Sequence, residues 1–152
     1  MGRDAGFIAL QAGIATGADM VLIPEIAGQE EKLTEFLVAQ KHSSNIIIVA
    51  EGNIVGGAEE VAKIVGKKYQ KHNVRVNVLG HMQRGGSPTA FDRYLASRMG
   101  VEAVDALLDN QRSIMIGYTN HEVVHVPFNK TIKGKRDVGE ELIRVNDILS
   151  EK

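Results

Sequence analysis

Asn45-Ile46-Ile47-Ile48-Val49-Ala50 is the stretch that decides the fold. It is β-branched and does not alternate between apolar and polar. A strand with one wet face alternates, whereas an unbroken run is a strand covered on both faces, as in parallel sheets. Upstream, Met20-Val21-Leu22-Ile23 reads the same way and is ended by Pro24. Between the two, residues 29–40 form a helix with Leu33, Phe36, Leu37 and Ala39 as its inner face. A strand, a helix and a second covered strand make a parallel crossover unit.

The pattern continues outward in both directions. Residues 4–16 are predicted helical on Phe7, Ile8, Ala12, Ile14 and Ala15, with Asp4 as a cap. Gly13 costs that helix about 1 kcal/mol against Ala unless close packing needs the gap. Residues 58–69 give a third helix with Val61, Ala62, Ile64 and Val65 inside. Residues 74–79 alternate as a strand. Ser87-Pro88 predicts a helix start, Ser as N-cap and Pro in the first turn. That helix runs to about Met99, and Gly100 interrupts it before residues 101–108. Residues 113–118 and 122–126 read as strands around the turn Thr119-Asn120-His121, and residues 137–149 as a last helix. Alternating helices and strands predict an α/β fold layered around a mostly parallel sheet.

Composition excludes several classes. The 152 residues carry 18 Lys and Arg against 19 Asp and Glu, a formal charge of -1. That leaves no electrostatic case for a nucleic-acid partner. The lack of cysteine excludes a disulfide framework and thiolate metal sites. No apolar run is long enough for a membrane span, and no basic-then-apolar leader opens the chain. Met1-Gly2-Arg3-Asp4-Ala5-Gly6-Phe7 reads instead like the middle of a longer protein.

The chemistry concentrates in Leu79-Gly80-His81-Met82-Gln83-Arg84-Gly85-Gly86-Ser87-Pro88. A strand, a glycine-rich loop and a helix start follow in the order that builds an anion site. Arg84 offers a planar fork for phosphate oxygens, and His81 a further donor. The alternative is a tight turn bearing an exposed arginine. No nucleotide-binding glycine pattern is present. Glu51, at a strand end, either faces solvent or accepts hydrogen bonds from a polyol. Arg75 either faces water or meets a partner subunit. Arg3 sits unfavourably near a helix N-terminus, a misfit that a bound anion would relieve. His121-Glu122-Val123-Val124-His125 matches a zinc-protease spacing but falls in a turn and strand, where the two rings do not share a helix face. Lys130 to Lys135 reads as a solvated basic loop.

Met1-Gly2-Arg3-x-Ala5-Gly6, Val49-Ala50-Glu51-Gly52, Val78 to Pro88, Phe91-Asp92-Arg93 and Ala96-Ser97-Arg98-Met99-Gly100 together resemble the C-terminal half of bacterial 6-phosphofructokinase. The resemblance implies a three-layer αβα sandwich, present as a fragment. Residues 1–80 would form most of the smaller, substrate-side domain. Residues 81–126 would belong to the larger nucleotide-side domain, and residues 127–152 would return to the smaller one. The returning segments would then expose apolar faces.

The same resemblance implies roles. Met1, Gly2 and Arg3 would line the fructose 6-phosphate site, with Arg3 stabilising the transferring phosphoryl group. Glu51 would bind sugar hydroxyls. His81 and Arg84 would hold the 6-phosphate, with Met82 and Gln83 beside them. Arg75 would serve the neighbouring subunit of a homotetramer. The family's effector site would map onto Gly17, Ala18 and Asp19, the last near an effector-bound magnesium, and onto His42, Ser43 and Ser44. Several cationic groups of that site are lost here, each charge-assisted bond being worth roughly 1.5–3 kcal/mol, so weakened allosteric control is expected. The complete enzyme would be a cytoplasmic, glycolytic kinase using ATP and Mg²⁺. Its donor site, magnesium carboxylate and general base would lie in an N-terminal half, leaving this chain inactive alone and binding no cofactor of its own. A pyrophosphate-dependent enzyme, or a sugar-phosphate-binding module without chemistry, is the alternative.

Overall fold

Met20–Leu22 (β1) and Ile47–Val49 (β2) lie side by side in parallel, Met20 opposite Ile47, Val21 opposite Ile48 and Leu22 opposite Val49. The structure, a computed structural model, describes residues 4–39, 43–69, 73–132 and 138–150. The chain divides into two units, Met1–Arg84 with Asp137–Lys152 and Gly85–Arg136.

In the first unit both faces of the β1–β2 sheet are covered, as the unbroken apolar runs require. Val21, Ile23, Ile48 and Ala50 pack on one side with Phe7, Leu10 and Ile14 of α1 (Phe7–Thr16), with Val138 and with Ile143 of α6 (Glu140–Ser150). Met20, Leu22, Ile47 and Val49 pack on the other with Leu33, Phe36 and Leu37 of α2 (Gln29–Ala39) and with Val61 and Val65 of α3 (Ala58–Lys68). Successive strand residues alternate between two helical layers, so this unit is a three-layer αβα arrangement.

Gly13 explains itself here. A Cβ at that position would lie 2.2 Å from Val21 Cγ2. The missing side chain lets α1 lie directly on β1, and that close approach offsets the helix propensity lost. Gln29 is buried at the start of α2. Its Oε1 accepts from the Ile23 N–H at 2.9 Å, and its Nε2 donates to the Val21 carbonyl at 3.4 Å.

The second unit holds α4 (Ala90–Leu108), an antiparallel hairpin of β3 (Ile114–Thr119) and β4 (Glu122–Pro127), and the short α5 (Phe128–Thr131). Asn120 and His121 both have positive φ, the backbone a two-residue hairpin turn needs. Arg98 of α4 lies 5.5 Å from the Tyr94 ring centroid and 5.4 Å from that of Tyr118 on β3, joining helix to hairpin by cation–π contacts. Ala106 is the one fully buried residue of this unit among the described residues. Phe91, Tyr94, Val101, Val104, Leu107 and Leu108 of α4 are exposed.

Four expectations are corrected. Residues 74–79 pair with no strand among the described residues, and Val74, Val76, Val78 and Leu79 are exposed. Alternation says which way side chains would face in a sheet, but a strand also needs a neighbour for its N–H and C=O groups. The helix expected from Ser87-Pro88 starts at Ala90, capped by Thr89, because Thr89 and Asp92 form a reciprocal capping box. Gly100 does not interrupt it; one glycine in 19 helical residues costs too little to end the element. Asp4 is likewise not the cap of α1, whose N-cap is Gly6. Of the basic loop, Lys130 falls in α5, and residues 133–135 lie outside the described ones.

Candidate functional site

The carboxyl ends of parallel strands are where open α/β sheets place ligands. In the first unit that edge is built from the segments that leave β1 and β2. After β2 the chain passes through Ala50 into a turn that presents Glu51, whose side chain is exposed. Asn53 fixes this turn. Its N–H donates to the Ala50 carbonyl at 3.1 Å, its carbonyl accepts from the Gly56 N–H at 3.0 Å, and its Oδ1 accepts from the Val55 N–H at 3.3 Å. After β1 the chain reaches Glu25, whose carboxylate accepts from the Gly6 N–H at 2.8 and 3.1 Å. The N-terminus of α1 and the turn bearing Glu51 thus lie at the same edge.

Gly80–Arg84 forms a 3₁₀ turn, with the Met82 N–H donating to the Leu79 carbonyl at 3.0 Å. Three residues per turn put His81 and Arg84 on one side of it. Met82 and Gln83 point elsewhere around the same turn. All four side chains are exposed, as is Arg75 in the extended stretch before them. Met1, Gly2 and Arg3 lie outside the described residues.

The helix start expected to complete an anion cradle begins later than Ser87-Pro88 predicts and is capped from within. α4 begins after Thr89, and the Asp92 carboxylate of its own first turn occupies its N-cap. Asp92 Oδ2 accepts from the Thr89 N–H at 2.8 Å and from the Thr89 hydroxyl at 2.7 Å. The Asp92 N–H donates to Thr89 Oγ1 at 3.2 Å. Glu25 places a carboxylate at the start of α1, so a cation near that helix N-terminus needs no bound anion to relieve it.

The Asp92 cap carries a pH signature. The Thr89 hydroxyl, and then the Thr89 N–H, hold the Asp92 carboxyl below its ordinary range. A carboxyl lowered in the folded state stabilises above its unfolded pKa, about 3.9, and loses that contribution as pH falls through the folded value. The start of α4 is therefore expected to fray below about pH 4. A carboxyl-carbon NMR titration of Asp92 checks this: Thr89→Ala should move the midpoint upward, and an unchanged midpoint would contradict the capping box.

The residues assigned to an effector lie at the opposite, amino-terminal edge of the sheet. Gly17 caps the C-terminus of α1, and the buried Ala18 donates its N–H to the Gly13 carbonyl at 3.0 Å. Asp19 Oδ2 accepts from the Ile46 N–H at 2.7 Å, while the Asp19 N–H donates to the Ile46 carbonyl at 3.0 Å. Asp19 therefore ties the start of β1 to the start of β2, a structural task that leaves one carboxylate oxygen of the pair uncommitted to Ile46. Ser43 and Ser44 are exposed just before β2, and His42 lies outside the described residues.

His121 and His125 are separated by the hairpin geometry. His121 occupies the turn, whereas His125 faces α4, Nδ1 at 2.8 Å from Gln111 Oε1 and Nε2 at 2.9 Å from Glu102 Oε1. No group of three or more His, Asp or Glu side chains is arranged to hold a metal among the described residues. No helix of the described residues is long and apolar enough to cross a membrane.

Nothing in the sequence marks Glu25, Gln29 or Asn53, since each acts through backbone groups brought close only by folding. Asp92 was recoverable: Thr89-x-x-Asp92 is an acidic variant of the capping-box spacing.

Comparison with known proteins fits this arrangement. The sequence profile described as Phosphofructokinase matches residues 1–107. The ATP-dependent 6-phosphofructokinase 2 of Bacteroides thetaiotaomicron is 47% identical over 99% of this chain and 47% of its own length. The ATP-dependent 6-phosphofructokinase 1 of Thermus thermophilus is 40% identical over the same shares. The chain thus spans about half the length of the curated relatives it matches. Among solved structures, the phosphofructokinase of Saccharomyces cerevisiae superposes with a TM-score of 0.73 at 31% identity, covering 99% of this chain and 21% of that one. That of Pichia pastoris in the T-state gives 0.70 at 31% identity, covering 99% and 17%. By its sequence over 107 of 152 residues and by its fold, the chain belongs to the phosphofructokinase family.

Proposed function

We propose that this chain supplies the sugar-phosphate-binding half of an ATP-dependent 6-phosphofructokinase. The observation that carries the reading is the 3₁₀ turn Gly80–Arg84, with His81 and Arg84 on one side, in a chain matched end to end by relatives of that name. Arg84 and His81 hold the 6-phosphate of fructose 6-phosphate. Glu51, at the carboxyl edge of the sheet, accepts hydrogen bonds from the sugar hydroxyls. Met1, Gly2 and Arg3 complete the sugar site, with Met82 and Gln83 on the rim, and Arg75 reaches a neighbouring subunit of a tetramer. Unit 1 belongs to the smaller, substrate-side domain, and unit 2 to the larger one. The exposed apolar side of α4 supports a missing neighbour there.

In the complete cytoplasmic enzyme the sugar 1-hydroxyl oxygen forms a bond to the γ-phosphorus of ATP. The bond from that phosphorus to the ADP oxygen breaks, and the hydroxyl proton passes to a base in the preceding half. Arg3 stabilises the charge on the transferring group. ATP and its Mg²⁺ are held in that preceding half, the donor side of the complete enzyme. Alone, the chain binds sugar phosphate without turnover. A pyrophosphate donor is the alternative, and the ATP-dependent relatives favour ATP. Effector binding through Asp19 is weak, because one carboxylate oxygen already serves Ile46.

Calorimetric titration of the chain with fructose 6-phosphate and with unphosphorylated fructose tests the reading. Saturable binding of the phosphate ester alone is expected. Equal binding of both sugars, or of neither, would overturn it.

A further inference from the structure

We propose that Asn53 is a positioning residue for Glu51, an inference that rests on the sugar-site reading above. Two β-turns follow β2 in succession, and Asn53 belongs to both. Its N–H donates to the Ala50 carbonyl at 3.1 Å and closes the turn Ala50-Glu51-Gly52-Asn53. Its carbonyl accepts from the Gly56 N–H at 3.0 Å and closes the turn Asn53-Ile54-Val55-Gly56. Glu51 is the second residue of the first turn, exposed between two buried ends, Ala50 and Asn53.

Both ends are tied to the core. The Ala50 N–H donates to the Leu22 carbonyl at 2.9 Å, which carries the pairing of β2 with β1 one residue further. At the other end the Asn53 side chain makes the tie. Its Oδ1 accepts from the Val55 N–H at 3.3 Å, the contact to a backbone group two residues on that asparagine makes in turns. Val55 in turn packs against the cluster that holds Leu22, Leu33 and Val61.

Packing alone does not account for an asparagine here. Asn53 Nδ2 is buried and meets no hydrogen-bond partner among the described residues. A buried donor left unmatched is destabilising, and an apolar side chain would avoid it. What the amide supplies instead is an acceptor that reaches the Val55 N–H from inside, and with it a fixed junction between the two turns. A turn closed by one backbone hydrogen bond at a strand end can rock, and the carboxylate it carries would swing with it. With Asn53 seated, Glu51 leaves the sheet from a defined backbone position. Asn53 touches no sugar. Its role is to reduce the arrangements open to the group that does.

The test uses the 152-residue chain, with fructose 6-phosphate affinity measured by calorimetry and folding by circular dichroism. The variants are Glu51→Ala, Asn53→Ala, the two combined, and Asn53→Ser. Glu51→Ala should weaken binding roughly 12- to 140-fold, the loss of a charge-assisted hydrogen bond. Asn53→Ala is expected to keep its helix content and weaken binding about fivefold to tenfold, since the carboxylate is misplaced and not removed. Asn53→Ser, whose hydroxyl accepts more weakly, should fall between the parent and Asn53→Ala. In the Glu51→Ala background, Asn53→Ala should change affinity less than about twofold, because a residue acting through Glu51 has nothing left to position. Equal losses in both backgrounds, as a merely structural role would give, would overturn the positioning role alone. So would an Asn53→Ala affinity within about twofold of the parent. Unchanged affinity in Glu51→Ala would remove Glu51 from the sugar site, and the positioning role with it. No saturable binding by the unsubstituted chain would overturn the sugar-site reading as a whole. Should Asn53→Ala lose its fold, Asn53→Ser runs the same cycle, and equal losses in both backgrounds, or none, would overturn the role.

Discussion

Leu22→Ala is expected to destabilise the first unit by about 2–5 kcal/mol, the range for emptying a fully buried leucine site. Leu22 has no solvent-exposed surface. It sits in the middle of the layer formed by Leu33 and Leu37 of α2 and Val61 and Val65 of α3. Those four side chains belong to two helices that meet over the strand, so neither can close the void without leaving the other. Partial collapse would bring the loss toward the lower end of the range, and a rigid cavity toward the upper. Against a total stability of about 5–15 kcal/mol, even the lower figure is a large fraction. Leu22→Met conserves volume and should cost less than about 1.5 kcal/mol. Urea unfolding followed at 222 nm measures both. A shift below about 1 kcal/mol for the alanine variant would show that the two helices do not share this core.

Arg84→Ala should weaken fructose 6-phosphate binding about 12- to 140-fold, the equivalent of losing 1.5–3 kcal/mol of charge-assisted hydrogen bonding at 1.4 kcal/mol per factor of ten. The guanidinium can engage two phosphate oxygens at once, whereas an ammonium acts as a point charge. Arg84→Lys should therefore fall between the parent and the alanine variant. Arg84 is exposed on the 3₁₀ turn, so the substitution should leave the thermal midpoint nearly unchanged. Affinity and stability then separate cleanly. Unchanged affinity in Arg84→Ala would remove the 6-phosphate from this turn.

The αβα core was legible because its signal is physical and local. Ile47 to Val49 alternate between two covered faces, so their polarity cannot alternate, and two apolar runs bracketing an amphipathic helix leave few arrangements open. The hairpin was legible for a similar reason, since Asn120 tolerates the left-handed backbone its turn needs. Residues 74–79 went the other way: their alternation is genuine, but the hydrogen-bond partner that would make them a strand is not supplied by the described residues. The start of α4 moved because Ser87-Pro88 and Thr89-x-x-Asp92 both signal a helix N-terminus, and the box satisfies more backbone and side-chain groups than a lone serine. For the proposed site, His81 and Arg84 are candidates from residue type and spacing, and Glu51 from the family resemblance. The side-chain contacts that fix the backbone at that edge of the sheet could not be read this way. Glu25 and Gly6 lie 19 positions apart, and no periodicity relates a carboxylate to a distant N–H.

Gln29 has a meaning for how this sheet can grow. A neighbouring parallel strand would offer β1 one residue whose carbonyl takes the Ile23 N–H and whose N–H goes to the Val21 carbonyl. The amide of Gln29 does both. A single side chain thus impersonates the next strand, and it does so from a buried position that an incoming chain would have to evict. Edge strands left open are templates for unwanted pairing, and proteins blunt them by several devices. Here the device is an amide borrowed from the crossover helix itself. The sheet has a finished border beside β1, leaving the far side of β2 as the place where further strands can be laid down.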